Sequence, residues 1–239
     1  MKRLFSTILV ILAFAAGMKG QSAKFNNAMA EAEAGDINAQ AFIGSCYFNG
    51  QEGVEKDHAE AARWFRMAAE KGDALSQFCL ASCYLNGDGI EKNETEAVRW
   101  LRKSAPQGNV DAQYMLGLCS MEGLGTEKNP QEAFFWYRNA ADQGDVYATL
   151  ELGACYYDGN GVKQDLNKAF QYFSAAADKG VPEAERSVGI CYLNGEGVQK
   201  NEKLAKTWLK KAEAHGDITA GKLCQELGYT IVTPDGPFY

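Results

Sequence analysis

The chain has 239 residues, of which 46% are apolar and 23% are charged, a composition typical of a folded protein rather than a disordered one. Its 31 acidic and 24 basic residues give a net charge of −7, which argues against a protein that binds nucleic acid through a basic face. Two histidines leave little material for histidine-based catalysis or for a histidine metal site. The seven cysteines are compatible with disulfides plus one leftover thiol, with a metal site, or with small core residues.

The first 20 residues have the pattern of a secretory signal peptide, in which a basic start precedes an apolar run and small residues follow. Lys2 and Arg3 precede the run 4–16, and the candidate cleavage positions follow Gly17 or Gly20, of which we favour Gly20. The run of 13 residues is shorter than the roughly 20 that span a bilayer, so an uncleaved membrane anchor is the weaker alternative. We therefore expect an exported chain, periplasmic or secreted, with no stable membrane insertion after cleavage.

From residue 35 onward, a glycine recurs every 36 or 37 residues and divides the chain into repeats. These marker glycines are Gly35, Gly72, Gly108, Gly144, Gly180 and Gly216. With the marker as position 0, glycines also recur at positions 15 and 17 and an aromatic residue at position 28, allowing for one extra residue in the first repeat. A fixed period of this kind predicts stacked copies of one structural unit.

The predicted segments are a capping helix at 21–34, five repeats at 35–71, 72–107, 108–143, 144–179 and 180–215, and a capping helix with a tail at 216–239.

The first half of each repeat predicts a helix. It follows an Asp or Asn, the residues preferred as N-caps, at Asp36, Asp73, Asn109 and Asp145. Positions 4, 8 and 12 share one helix face at i, i+4 spacing, and we predict that this face forms the core. A glycine at position 9 in four of the five repeats costs about 1 kcal/mol of helix propensity relative to alanine. Its recurrence indicates a helix crossing too close for a Cβ atom.

A second helix follows an N-G-x-G type turn, because glycine accepts the positive φ that ends a helix. Its N-caps are Asp57, Asn93, Asn129, Asp165 and Asn201. A glutamate three residues after each of the first three caps resembles a capping box. Pro130 falls at the first position of its helix, where the missing N–H costs nothing.

This pattern resembles the Sel1-like repeat, a relative of the tetratricopeptide repeat. Residues 148–162, with the sequence A-T-L-E-L-G-A-C-Y-Y-D-G-N-G-V, match the family pattern well. The resemblance covers residues 35–215, with half-motifs at 22–34 and 216–227, and departs from the pattern mildly at Ala81, Ser120 and Thr126. It implies an all-α fold, a right-handed α/α superhelical solenoid of five helix-turn-helix repeats with helical half-repeat caps.

By analogy with tetratricopeptide repeats, first-helix positions 3, 6, 10, 13 and 14 would line a concave groove. The predicted groove residues are Phe48, Phe78, Leu85, Tyr114, Leu118, Met121, Tyr147, Leu150, Tyr157, Ile190 and Leu193. Position 14 is polar in every repeat. An exposed apolar surface with a polar edge is typical of a site for an extended peptide or a partner helix. The alternative is that many of these residues pack against the next repeat.

The function implied by the resemblance is that of an exported scaffold or adaptor, a non-enzyme that binds a protein or peptide. We predict no catalytic residues, metal or cofactor, and no nucleic-acid partner. His58 is expected to face solvent, and His215 lies where a helix C-terminus favours a cation. Because some secreted cysteine-rich relatives have been linked to β-lactam binding, an envelope enzyme that acts on a β-lactam or cell-wall fragment is the alternative function, although no residue here resembles a site for it.

Five of the seven cysteines occupy position 11 of successive repeats: Cys46, Cys83, Cys119, Cys155 and Cys191. Packed helices lie roughly 8–10 Å apart, whereas a disulfide requires Cα atoms within about 7 Å. The Cys79–Cys83 pair has a spacing with poor side-chain geometry for a bridge. The register therefore predicts small buried thiols. The tail 228–239 leaves the repeat pattern, and it either docks on the last helices, lies loose, or folds back into the groove.

Overall fold

The computed structural model describes residues 21–229, and every regular element within them is a helix. The elements are α1 (Ala23–Glu33), α2 (Ile37–Asn49), α3 (His58–Glu70), α4 (Ala74–Asn86), α5 (Glu94–Ser104), a 3₁₀ turn (Ala105–Gln107), α6 (Val110–Glu122), α7 (Pro130–Asp142), α8 (Val146–Asp158), α9 (Leu166–Ala177), α10 (Pro182–Asn194), α11 (Glu202–Ala214) and α12 (Ile218–Glu226). The predicted signal peptide and residues 230–239 of the tail lie outside the described residues.

The described residues form two compact units. Unit 1 comprises 21–112 with Leu124–Thr126, and unit 2 comprises Gln113–Gly123 with 127–229. In unit 1, consecutive helices pack against each other from α1 to α5, and in unit 2 they do so from α7 to α12. The all-α fold of consecutively packed helix pairs is therefore confirmed.

The predicted caps of the first helices are present. The side chains of Asp36, Asp73, Asn109 and Asp145 each accept a hydrogen bond from the N–H three residues later, at 2.6–2.8 Å. The last repeat differs, because Val181 has no capping side chain. There, Pro182 begins α10 and brings no N–H that needs a partner.

The turn between the two helices of a repeat is built from backbone hydrogen bonds. At its start, the position-15 glycine donates to the carbonyl of the position-11 cysteine, as Gly50 does to Cys46 with φ 68°. At its end, the N–H of the second-helix cap donates to the carbonyl at position 12, as Asp57 does to Tyr47 at 2.9 Å. Only half of the expected capping box forms. Asp57 accepts from the Glu60 N–H at 3.0 Å, but its own N–H is already used by Tyr47.

The core occupies a slightly different stripe from the predicted one. Positions 4 and 8 are buried as expected, but the tyrosines at position 12 are half-buried, and the cysteines at position 11 fill the core instead. Both positions follow position 8 within one turn, so a small rotation of the helix decides between them. Ser120 is the exception, since it is buried at position 12.

The position-9 glycines lie directly against the second helix of their own repeat. A Cβ atom at Gly153 would lie 2.5 Å from the ring of Phe173, and one at Gly117 would lie 2.6 Å from the ring of Tyr137. Gly44 and Gly189 face Phe65 and Leu209 at similarly short distances, 2.7 and 2.8 Å. The predicted close crossing is confirmed, and the large residue at position 29 is its partner, again counting past the extra residue of the first repeat.

The position-17 glycines lie against the backbone of the preceding repeat. A Cβ at Gly89 would lie 2.0 Å from the carbonyl carbon of His58, and one at Gly161 would lie 2.1 Å from the carbonyl oxygen of Pro130. His58 and Pro130 are each the first residue of a second helix. The turn of one repeat is thus seated on the start of the second helix of the repeat before it.

The end of the described chain packs on the last helices. Tyr229 is buried, its N–H donates to the Cys224 carbonyl at 2.7 Å, and its hydroxyl donates to Glu202 at 3.3 Å. The beginning of the tail therefore docks on α11 and α12.

Seven free cysteines are present, six buried and Cys79 half-buried, which agrees with the predicted buried thiols. Burial raises the pKa of the Cys83 and Cys155 thiols to about 12, and that of the Cys79 and Cys191 thiols to about 11. Because the thiolate is the reactive form, these side chains are protected both by burial and by protonation.

We expect native protein at pH 8 to react with a thiol reagent far more slowly than protein unfolded in guanidinium without reductant, and the unfolded protein to release all seven thiols. Titration with Ellman's reagent measures both quantities. A count well below seven in the unfolded, unreduced protein would show that disulfides are present and would contradict the predicted free thiols.

Replacing Gly153 with alanine tests the close crossing. Overpacking costs about 1–3 kcal/mol, whereas the gain in helix propensity is about 1 kcal/mol, so we expect a net loss of stability of up to about 2 kcal/mol. Gly221 is the matched control, because a Cβ there would meet only Glu213 at 3.4 Å. Gly221→Ala should stabilise in urea denaturation. A Gly153→Ala protein more stable than the parent, as Gly221→Ala should be, would contradict the steric argument.

Candidate functional site

Two pockets open between the first helices of adjacent repeats, one in each unit. The pocket of unit 1 has a volume of about 230 Å³ and is lined by Ser45, Phe48, Asn49, Phe65, Phe78, Cys79 and Ser82. The pocket of unit 2 has a volume of about 160 Å³ and is lined by Ala154, Tyr157, Asp158, Phe173, Ser187, Ile190 and Cys191.

The two pockets are equivalent in the repeat register. Each uses positions 10, 13, 14 and 29 of one repeat and positions 7 and 10 of the next. The floor is the aromatic ring that faces the position-9 glycine, Phe65 in unit 1 and Phe173 in unit 2. The rim carries a polar side chain, Asn49 or Asp158. The close helix crossing therefore creates the same pocket in both units.

Four predicted groove residues, Phe48, Phe78, Tyr157 and Ile190, line these pockets. Phe48, Phe78 and Leu85 belong to unit 1, and the other eight belong to unit 2. All are half-buried except Tyr147, which is 54% exposed. The Tyr157 hydroxyl donates to Glu196 at 2.8 Å, and this hydrogen bond, with burial, raises the pKa of Tyr157 to about 12.

A cluster of acidic and aromatic side chains in unit 2 occupies the same positions where the third and fourth repeats meet. Here position 14 is Glu122, position 29 is Tyr137, and position 7 of the following repeat is Glu151. The ring of Tyr114 lies 6.0 Å from that of Tyr137. Burial raises the pKa of Glu151, and Glu122 raises it further.

Sequence reasoning missed Glu151 and Tyr137 as site residues. A comparison of repeats carried the signal, because position 7 is otherwise Phe42, Cys79, Met115 or Ser187, and position 29 is otherwise Phe or Leu. Glu151 is thus the one acid at position 7, and Tyr137 is the one hydroxyl at position 29.

His58 is partly exposed, and it also makes two contacts that the sequence did not predict. Its ring stacks on Phe48 with centroids 4.8 Å apart, and its Nδ1 lies 3.5 Å from the Asp88 carboxylate. His58 therefore supports the Phe48 side of the unit 1 pocket.

His215 has a more specific role than the helix C-terminus alone explains. Its Nδ1 lies 2.9 Å from the carboxylate of Glu185, which is fully buried and also pairs with Lys211 at 3.0 Å. The same two repeat positions form a Gln107–Gln77 hydrogen bond in unit 1 and a Gln143–Gln113 hydrogen bond in unit 2, both 2.8 Å long. His215 is thus the last member of a repeated polar pair.

Within residues 21–229, no group of three or more His, Cys, Asp or Glu side chains is arranged to hold a metal ion. In the same part of the chain, no helix combines the length and apolarity that crossing a bilayer requires.

The Sel1 repeat family model matches residues 37–73, 74–109, 110–145, 146–181 and 182–217, so that each match begins two residues after a marker glycine. The chain belongs to the Sel1 repeat family. Proteins with Sel1 repeats generally mediate protein–protein interactions, and such scaffold families are generally non-enzymatic.

Solved structures with the same repeats resemble this Sel1 repeat protein closely. A Sel1 repeat protein from Oxalobacter formigenes is 42% identical with a TM-score of 0.76, over 81% of this chain and 78% of that one. A protective antigen of uropathogenic Escherichia coli with an SLR fold is 33% identical with a TM-score of 0.79. That match covers 86% of this chain and 44% of the antigen.

A eukaryotic relative shares a shorter stretch. The ERAD-associated E3 ubiquitin-protein ligase component HRD3A of Arabidopsis thaliana is 37% identical over 59 residues. This stretch is 25% of this chain and only 9% of HRD3A, so the match covers one part of a much longer protein.

Proposed function

We propose that this Sel1 repeat protein is an exported scaffold or adaptor that binds a protein or peptide partner through the faces of its first helices. The observation that carries the proposal is the recurrence of one pocket, built from the same repeat positions, in both units. A pocket that recurs with the same lining positions suits a polypeptide ligand, since each pocket can take one apolar side chain.

The size of the pockets favours side chains over small molecules. Pockets for drug-sized ligands are usually about 300–1,000 Å³. The two pockets here are about 230 and 160 Å³, with aromatic floors and one polar side chain at the rim. Such a site accommodates one apolar side chain of an extended segment and leaves the polar rim to bind the backbone of the ligand.

The test of the surface is a double substitution in unit 2, Tyr114→Glu with Met121→Glu. We expect it to abolish partner capture in crosslinking pull-downs from the native cell envelope, because two carboxylates would be placed on an apolar contact surface. The control is Phe135→Glu, since Phe135 is 45% exposed and lies on a second helix of the same unit. Far-UV circular dichroism should show full helicity for both variants.

Capture that survives the double substitution would overturn the proposed surface.

The alternative function is tested on the purified parent protein, which is expected to leave nitrocefin intact. Hydrolysis above that of a heat-denatured sample would favour the β-lactam-directed enzyme instead.

Export is supported by the basic start, the apolar run 4–16 and the small residues that follow it. We expect the protein recovered from the periplasm or medium to begin at Gln21, and intact-mass spectrometry measures this directly. A full-length chain retained in the membrane fraction would show that the segment is an uncleaved anchor.

A further inference from the structure

The strongest unexplained feature of the protein is the cluster in unit 2 formed by Glu122, Glu151 and Tyr137. It occupies the positions that make the two pockets, but with two carboxylates and a phenol. The equivalent residues in unit 1 are Asn49, Cys79 and Phe65. The repeat architecture thus presents a charged version of a site that is mostly apolar elsewhere.

The cluster carries negative charge with no cation to balance it. Burial, together with the carboxylates of Glu151, Asp145 and Glu183, raises the pKa of Tyr114 to about 12. Every charge that shifts the pKa of Glu151 or Tyr114 acts in the same direction. In the part of the chain that the structure describes, the side chains of Glu122, Glu151 and Glu183 form no ion pair.

The Tyr137 hydroxyl is the second, independent sign of a missing ligand. Tyr137 is completely buried, and its hydroxyl has no hydrogen-bond partner among the described residues. Burying a hydroxyl without a partner costs about 1–3 kcal/mol, and a phenylalanine would avoid that cost. Burial raises the pKa of Tyr137, and Glu151, Cys155, Tyr114 and Glu122 raise it further. In the repeat register, Tyr137 occupies the floor position of the two pockets, and the two glutamates occupy lining positions of the same pockets.

Aromatic side chains stand next to this acidic cluster. The ring of Tyr114 lies 6.4 Å from the ring of Tyr147, which is 54% exposed. Carboxylates beside aromatic faces favour a planar cation, because a guanidinium donates in pairs to carboxylates and stacks on rings. A lysine ammonium has neither the paired donors nor the flat face. The described residues also supply no third acidic, histidine or cysteine ligand for a metal ion here.

We propose that Glu122, Glu151 and the Tyr137 hydroxyl form a subsite for an arginine side chain of the partner polypeptide, with Tyr114 and Tyr147 as its aromatic wall. This subsite deepens the proposed function and rests on it. The partner segment would carry an arginine near an apolar residue.

The probe is N-acetyl-arginine N-methylamide, with the citrulline analogue as a neutral compound of the same shape. We expect the arginine compound to shift the NMR ring signals of Tyr114, Tyr137 and Tyr147 saturably, and the citrulline compound to bind at least about tenfold more weakly, because it loses the charge-assisted hydrogen bonds. Equal responses to the two compounds, or no saturable response to arginine, would overturn the subsite.

Substitutions assign the contacts. Glu151→Gln and Glu122→Gln should each weaken arginine binding about tenfold, and Tyr137→Phe should weaken it severalfold. Asp142→Asn is the matched control, because Asp142 is an exposed acid at the end of α7, the helix that carries Tyr137, and it lines neither pocket. This variant should leave the affinity unchanged. Unchanged affinity in Glu151→Gln would refute the proposal.

The Tm distinguishes a variant that has lost a binding contact from a variant that no longer folds. Because the folded-state pKa of Glu151 is raised, its contribution to stability is present below its ordinary pKa of 4.5 and is lost as pH rises through the raised value. Glu151→Gln should therefore raise Tm at pH 7 while removing arginine binding, and this gain should disappear below pH 4.5. A Tm unchanged at pH 7 would show that burial near Glu122 does not destabilise the Glu151 carboxylate, and would contradict the subsite.

The two proposals fail in different experiments. If the arginine compound causes no saturable shift, the subsite is refuted, and the partner-capture result is unaffected. Partner capture that survives the Tyr114→Glu and Met121→Glu double variant removes the proposed surface, and with it the assignment of the arginine to a partner polypeptide.

Discussion

The contact on which the repeat architecture depends is the seating of a turn glycine on the backbone of the preceding second helix. At Gly89, Gly125, Gly161 and Gly197, a Cβ would lie between 1.9 and 2.1 Å from backbone atoms of that helix. The two backbones approach each other so closely at these glycines that no side chain fits between them. This contact therefore fixes the register between adjacent repeats within each unit, independently of the side chains that vary from repeat to repeat.

A second close approach, within each repeat, turns this constant register into a binding surface. The position-9 glycine lets the second helix press its position-29 side chain against the first helix, as Phe173 does at Gly153. The ring then forms the floor of the pocket between neighbouring first helices. Since the backbone contacts hold the frame, the floor and rim can change chemically without altering the fold. Phe65 and Phe173 keep the same ring at this position, whereas Tyr137 adds a buried hydroxyl at the junction that carries Glu122 and Glu151.

The polar pairs and the cysteines show how the same frame treats buried groups. The Gln77–Gln107, Gln113–Gln143 and Glu185–His215 pairs keep buried polar atoms hydrogen-bonded at one repeated position. The position-11 cysteines fill the core as small apolar side chains and accept no bridge, because each lies within the helix packing of its own repeat. A chain with seven thiols can thus pack most of them as core side chains without depending on disulfides.

The sequence by itself determined the repeat number, the helix caps, the turn glycines and the need for a close crossing. These features are local, because each depends on the backbone preference of one residue type. Asp36 caps the start of a helix, and Gly50 adopts the positive φ that ends it. Only the tertiary structure decided that Cys46 rather than Tyr47 faces the core, because the two positions flank the stripe set by positions 4 and 8 and a modest rotation of the helix exchanges them. It also brought Glu122, Tyr137 and Glu151 together from three different helices. No periodic pattern marks that cluster, since Glu151 and Tyr137 depart from the residue types that the other repeats carry at positions 7 and 29. The chemistry of these side chains depends on the neighbours that the packing places around them.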